Sequence, residues 1–168
     1  MTRPDSPLAA PEAETLVGFL GYQRATLAWK CSSLSDEDLR RTIHPTDMSL
    51  AGLLTHLARI EDYWFSETVG RRPRPAPWDG MPWAAEWSNH AEHTGDELRE
   101  MWQAAVDESV AVVRSALASG SLDDVFPAWG GEGEASLRWV LVHMIEEYAR
   151  HNGHADLLRQ AVDGEVGE

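Results

Sequence analysis

Apolar residues recur at spacings of three, four and seven along four long stretches of the chain, the signature of helices with one buried face. The first stretch runs from about Glu12 to Cys31, with Leu16, Phe19, Leu20, Leu27 and Cys31 on one side. The second spans about Ser49 to Val69 and carries Leu50, Leu53, Leu54, Leu57, Ile60 and Trp64, closed by Gly70. Thr94-Gly95-Asp96-Glu97 has the form of a capping box and opens the third. That helix reaches about Ala118 and buries Met101, Trp102, Ala105, Val112, Val113 and Leu117. The fourth starts near Ser136 and presents Leu141, Met144, Tyr148, Ala155 and Leu158, continuing to Val162 across Gly153. No segment alternates with period two for long enough to argue a strand. The pattern predicts an all-α fold, an antiparallel four-helix bundle with a long crossover between its second and third helices.

The connections refine that outline. Residues 1–11 and 163–168 read as tails, leaving 12–162 as a single domain. Gly18 and Gly21 cost helix propensity in the first helix, which predicts a tight packing contact there. Ser35 caps one acidic turn, Asp36-Glu37-Asp38, and Asp47 or Ser49 caps the second helix after Pro45. From Arg71 to His93 the chain is rich in proline and tryptophan, Pro77, Trp78, Trp83 and Trp87 among them, with no sustained period. So long a connection in a compact domain is commonly functional, and its tryptophans predict that it packs down as a roof. Asp123 to Glu134, around Pro127-Ala128-Trp129-Gly130-Gly131, reads as a loop.

Composition narrows the partners. A net charge of −14 leaves no concentrated basic surface for nucleic acid, and it disfavours anionic lipid. Arg71-Arg72-Pro73-Arg74 is the only basic cluster, short and broken by proline. No stretch reaches the ~18 apolar residues of a membrane span, and Met1 to Pro11 is polar. The expectation is a cytoplasmic protein acting on a small molecule, with exposed bundle faces that leave a homodimer open. Cys31 is the one cysteine, so no internal disulfide forms, and its place on the first apolar stripe makes it a buried small residue.

The candidate chemistry lies in the histidines. Of the seven, His44, His90 and His93 fall in connections, where solvated side chains are the simplest reading. On the fourth helix, Glu147 and His151 stand four residues apart and beside the apolar stripe. Such residues project only about 40° apart around the axis. The pair fits an intrahelical hydrogen bond or half of a metal site. His56 flanks the stripe of the second helix, as a structural histidine or as a further ligand. Together the two helices carry metal-competent groups on inward flanks, and bundles build metal sites from facing helices in this way. Two imidazoles and a carboxylate suit Zn²⁺, Ni²⁺ or Fe²⁺ and leave a position open.

Leu54-Thr55-His56-Leu57-Ala58 with Glu61-Asp62-Tyr63-Trp64-Phe65 resembles the second helix of the DinB/YfiT-like bundle superfamily. Glu147 to Asp156 resembles its fourth-helix motif. Gly21-Tyr22-Gln23-Arg24-Ala25-Thr26 and Leu137-Arg138-Trp139 are similar to its actinobacterial branch, which includes a mini-circle protein and mycothiol S-transferases. The resemblance covers roughly residues 12–162. It implies a DinB-like bundle holding one divalent metal through a histidine of the second helix and two residues of the fourth. By that matching the ligands are His56, Glu147 and His151, a His-Glu-His set like that of mycothiol-dependent maleylpyruvate isomerase. Many relatives have histidine where Glu147 stands and glutamine where His154 stands. His154 is therefore a proton-handling residue beside the site, or the third ligand in place of Glu147.

Three functions fit these residues. The resemblance implies a metal-dependent S-transferase or isomerase using a low-molecular-weight thiol such as mycothiol, with His154, or else His143, handling a proton. The same ligands serve a hydrolase or lyase that activates water. The third is a bundle that binds a metal or small molecule without turnover.

Overall fold

A computed structural model describes residues 3–76 and 78–166; residues 1, 2, 167 and 168 of the expected tails and Pro77 of the crossover lie outside the described residues. The helices are α1 (Glu12–Lys30), α2 (Asp36–Arg40), α3 (Leu50–Glu61), α4 (Gly95–Ser119) and α5 (Leu137–Asp163). α1 packs on α5, α4 packs on α3, and α3 also touches α5. The start signals act as their chemistry requires. Ser35, Ser49 and Ser136 each accept from a backbone N–H of the first turn, and Thr94 with Glu97 closes the capping box.

α3 is the most enclosed element: every residue from Leu50 to Arg59 is buried. Leucines fill one side, while Ala51, Gly52 and Ala58 let neighbours approach the other. A Cβ on Gly52 would stand 3.4 Å from the Trp87 carbonyl and 3.5 Å from its ring, so the crossover lies directly on this helix. After Glu61 the helix widens into a π-helix, Asp62–Val69. Two adjacent acidic side chains there reach different neighbours. Glu61 accepts from Arg24 at 2.7 and 2.6 Å and from the Tyr148 hydroxyl at 2.7 Å, while Trp102 donates to the same hydroxyl at 2.9 Å. Asp62 accepts the indole N–H of the fully buried Trp78 at 2.6 Å. One residue ties α1, α4 and α5 to α3; the next pins the crossover.

Several expectations change. The region read as a loop holds an antiparallel hairpin, β1 (Val125–Ala128) and β2 (Gly133–Ser136), with Val125 opposite Ser136 and Ala128 opposite Gly133. Four-residue strands, one containing Pro127, are too short to show a period. Phe19 is 45% exposed, and the buried face of α1 instead includes Arg24, Thr26 and Lys30. These polar groups defeat a purely apolar reading because they have partners: Glu61 for Arg24, Asp156 for Lys30 at 3.0 Å. Gly18 does face a close contact, a Cβ there lying 2.4 Å from Pro7, but Gly21 has open space. The crossover has short structure of its own, 3₁₀ turns at Trp83–Ala85 and Asn89–Glu92.

Candidate metal centre

His56 on α3 and Glu147 and His151 on α5 come together. One carboxylate oxygen, Glu147 Oε1, lies 2.9 Å from His56 Nε2 and 3.3 Å from His151 Nε2. Among the described residues this trio is the group of three whose ligand atoms all fall within 4.8 Å of one another. Ligands ~2 Å from a common ion stand ~3–4 Å apart, which is the range of the two contacts to Glu147. Both rings aim the same nitrogen at one point. The residues present fit a divalent ion.

The surroundings strengthen that fit. Glu86, from the crossover, accepts from His56 Nδ1 at 2.8 Å. A carboxylate on the far nitrogen fixes the tautomer that leaves Nε2 free as a ligand, a common support for metal-binding histidines. Glu86 Oε2 is buried without a hydrogen-bond partner. Two carboxylates therefore face two imidazoles in a largely dry site, negative charge that a bound cation or a protonated ring offsets. Trp87 stacks on His56, with centroids 4.2 Å apart and planes inclined by 15°, and His151 meets the same ring edge-on at 4.7 Å. Of the crossover tryptophans Trp87 covers the site as expected, Trp78 is buried against Asp62 instead, and Trp83 is 45% exposed.

The charges respond to this packing. Burial works to lower the His56 pKa, but hydrogen bonds to Glu147 and Glu86 outweigh it and hold the ring above its ordinary value. Hydrogen bonds from His151 and then His56 keep the Glu147 carboxyl far below the usual carboxylate range, against its desolvation. His154 lies below its ordinary value through burial, then through His151 and Arg150. Burial pushes the Cys31 thiol up to about 12, so it stays protonated.

The remaining histidines separate cleanly. His154 does not join the trio; its Nδ1 sits 3.3 Å from the Nδ1 of His151, on the side of that ring turned away from Glu147. It lines a cavity of about 550 Å³ with His44, Met48, Leu157 and Leu158. His143 stacks on Trp139 at 4.8 Å, one turn before Glu147, and borders a different cavity. His90 and His93 lie in and after a 3₁₀ turn of the crossover, outside the trio. Sequence reasoning missed Glu86 and the stacking role of Trp87. The tryptophan density marked their segment, but no period tells which acidic residue of an irregular stretch meets a helix.

Two imidazoles and a carboxylate from α3 and α5 thus converge under an aromatic ring in a mostly helical protein, a donor set that could hold a metal ion. The family profile described as mycothiol-S-transferase matches residues 15–164. The chain is a member of that family, which is DinB-like. A comparison with curated proteins finds no match.

Proposed function

We propose that this protein is a divalent-metal-dependent S-transferase that joins the thiol of mycothiol to an electrophilic small molecule, with His56, Glu147 and His151 holding the ion. The observation that carries the reading is the convergence of His56 Nε2 and His151 Nε2 on one oxygen of Glu147, in a chain of the mycothiol S-transferase family. The surrounding architecture is read as an antiparallel four-helix bundle, one domain spanning 12–162, with Zn²⁺ the expected ion and Ni²⁺ or Fe²⁺ compatible with the same donors. When bound, the ion lowers the pKa of a thiol beside it and so favours the nucleophilic thiolate.

The chain's own residues do the rest. Glu86 holds the proton on His56 Nδ1, and one Nδ1 of the His151–His154 pair carries the proton they share. His154, which lines the cavity it shares with His44 and pairs with His151, is read as the group that takes up the proton the thiol releases, relayed through the His151 ring. Trp87 and the crossover keep water off the His56 ring. Cys31 supports an external thiol, because the protein's own is 1% exposed and protonated. A reducing, cytoplasmic setting is consistent with that free thiol, and no helix among the described residues is long and apolar enough to cross a membrane.

The donor set alone serves water activation equally well, so the test must set thiol against water. Metal-loaded protein is mixed with mycothiol and a generic electrophile, 1-chloro-2,4-dinitrobenzene, and thiol loss and conjugate are followed together. Stoichiometric conjugation that stops when mycothiol is withheld supports the reading. Hydrolysis of ester or amide substrates at equal rates without thiol overturns it, and no turnover in any arm leaves a non-catalytic metal bundle.

A further inference from the structure

One helical turn from the trio, a cavity of about 880 Å³ opens between α3, α5, the crossover and the hairpin. Ile60 follows His56 by four residues and His143 precedes Glu147 by four, so this cavity and the metal centre share the same two helix faces. Its walls are aromatic. Trp83 and Trp129 are 45% and 51% exposed, and Tyr63 and Trp64 lie between them, each in edge contact with a wall ring: Tyr63 with Trp83 at 5.2 Å, Trp64 with Trp129 at 6.1 Å.

Trp129 is held there at a conformational cost. Its φ is +50°, a left-handed value that is an outlier for so bulky a residue, and Gly130 and Gly131 follow at +68° and +95°. Its backbone N–H donates to the Tyr63 hydroxyl at 2.8 Å. A Cβ on Gly133 would fall 2.6 Å from the Trp129 ring, so the opposite strand must be bare for the indole to lie where it does. Such over-determined strain clusters where proteins meet ligands. Behind Trp83, the buried Arg59 guanidinium lies 4.3 Å from that ring's centroid and pairs with Glu67, which does line the cavity.

The charges bordering the cavity choose among ligands. Arg74 also pairs with Glu67, and Arg72 pairs with Glu108. The guanidinium groups are already engaged, which disfavours an anion as the main occupant, and their presence disfavours a cation. What remains is a set of fixed donors and acceptors beside open ring faces. That combination suits a neutral polyhydroxylated ring, whose C–H face stacks on indole while its hydroxyls bridge carboxylate and guanidinium.

The geometry points to this cavity as the seat of the carbohydrate-like body of the thiol substrate, with Trp83 and Trp129 as its stacking walls. The inference rests on the thiol-transfer reading, since it takes mycothiol, a cysteine carried on a glucosamine–inositol body, as the substrate. The body then lies along α3 and α5 while its sulfur reaches the trio one turn away, and the apolar cavity beyond His154 is left to the electrophile.

Two measurements on the full chain test it. N-acetylglucosaminyl-inositol, the sulfur-free body with its nitrogen acylated as in mycothiol and so uncharged, is titrated calorimetrically into wild type, Trp83→Ala, Trp129→Gly and His56→Ala. The glycine variant suits the positive φ, so it preserves the hairpin while removing the ring. Wild type and His56→Ala should bind alike, and each tryptophan variant should bind about tenfold more weakly, the loss expected of one stacking ring. In turnover, the same tryptophan variants should raise KM for mycothiol by a similar factor with kcat within about twofold, and leave KM for N-acetylcysteine unchanged. Binding of the body without any thiol transfer would sink the proposed reaction and leave this site standing. Failure of wild type to bind the body, wild-type binding by both tryptophan variants, or a rise in KM for the electrophile instead of mycothiol would each overturn the site, even with transferase activity intact.

Discussion

Replacing Glu61 with leucine probes the cluster that aligns α3 with α5 and so sets how His56 meets Glu147 and His151. In the native protein this carboxylate is fully buried and satisfies the Arg24 guanidinium through two bonds and the Tyr148 hydroxyl through a third. Burial, then the neighbouring carboxylate, holds the Tyr148 phenol well above its ordinary pKa, so it is a donor at any working pH. Glu61→Leu leaves a guanidinium that is only 7% exposed without its partner. Removing one member of a buried ion pair costs about 3–5 kcal/mol, because the other charge stays desolvated and uncompensated. For a chain of this length that lowers Tm by roughly 10 °C. The double variant Arg24→Met with Glu61→Leu should recover most of the loss, since the pair itself balances its own desolvation. Thermal melts followed by circular dichroism, with all four corners of the cycle, read the result. A Glu61→Leu melt within about 2 °C of wild type, or a double variant no better than the single, would refute the assignment of this cluster as a charge-balanced clamp.

Further outcomes follow from single contacts. Glu86→Gln keeps the size of the side chain but weakens its hold on His56 Nδ1, so metal affinity should fall about 10–100-fold in a competition titration while the fold persists. Unchanged affinity would separate Glu86 from the centre. Cys31 should resist a disulfide reagent at pH 8 in the native state and react once the chain is unfolded, as its pKa near 12 and full burial require; rapid native labelling would show an accessible thiolate. Trp78→Phe deprives Asp62 of its indole donor, at a cost of about 1–3 kcal/mol, and should expose the crossover to limited proteolysis between residues 71 and 93. His154→Ala should keep its metal but lower thiol-dependent turnover by ~10²–10⁴, the range of a lost acid–base group.

Much of this was legible in the sequence because helices write their buried faces at a fixed period. The stripes Leu50–Trp64 and Leu141–Leu158 set two helices within a residue or two of their ends, and the caps at Ser35 and Thr94, with Ser49 as one of two candidates, came from chemistry local to each terminus. Glu147 and His151 were readable as one face of one helix for the same reason. What did not show was whatever depends on contacts distant in sequence. Phe19 fits its stripe and faces solvent, because Arg24 and Lys30 found partners on α3 and α5 and took up the buried side. The widening of α3 after Glu61 lets neighbouring carboxylates point to different elements, and no pattern in the residues announces it. Glu86 and Trp87 reach His56 from an irregular segment that has no period to read.

The central claim, that His56, Glu147 and His151 hold one divalent ion, is tested most directly by metal content after exhaustive dialysis, measured by inductively coupled plasma mass spectrometry. Wild type, His44→Ala, His93→Ala and His154→Ala should each retain about one ion per chain, whereas His56→Ala, Glu147→Gln and His151→Ala should lose it with their helical circular dichroism intact, since a three-ligand site tolerates no such loss. Retention of the ion by Glu147→Gln together with its loss from His154→Ala would contradict the account and give the third ligand's place to His154.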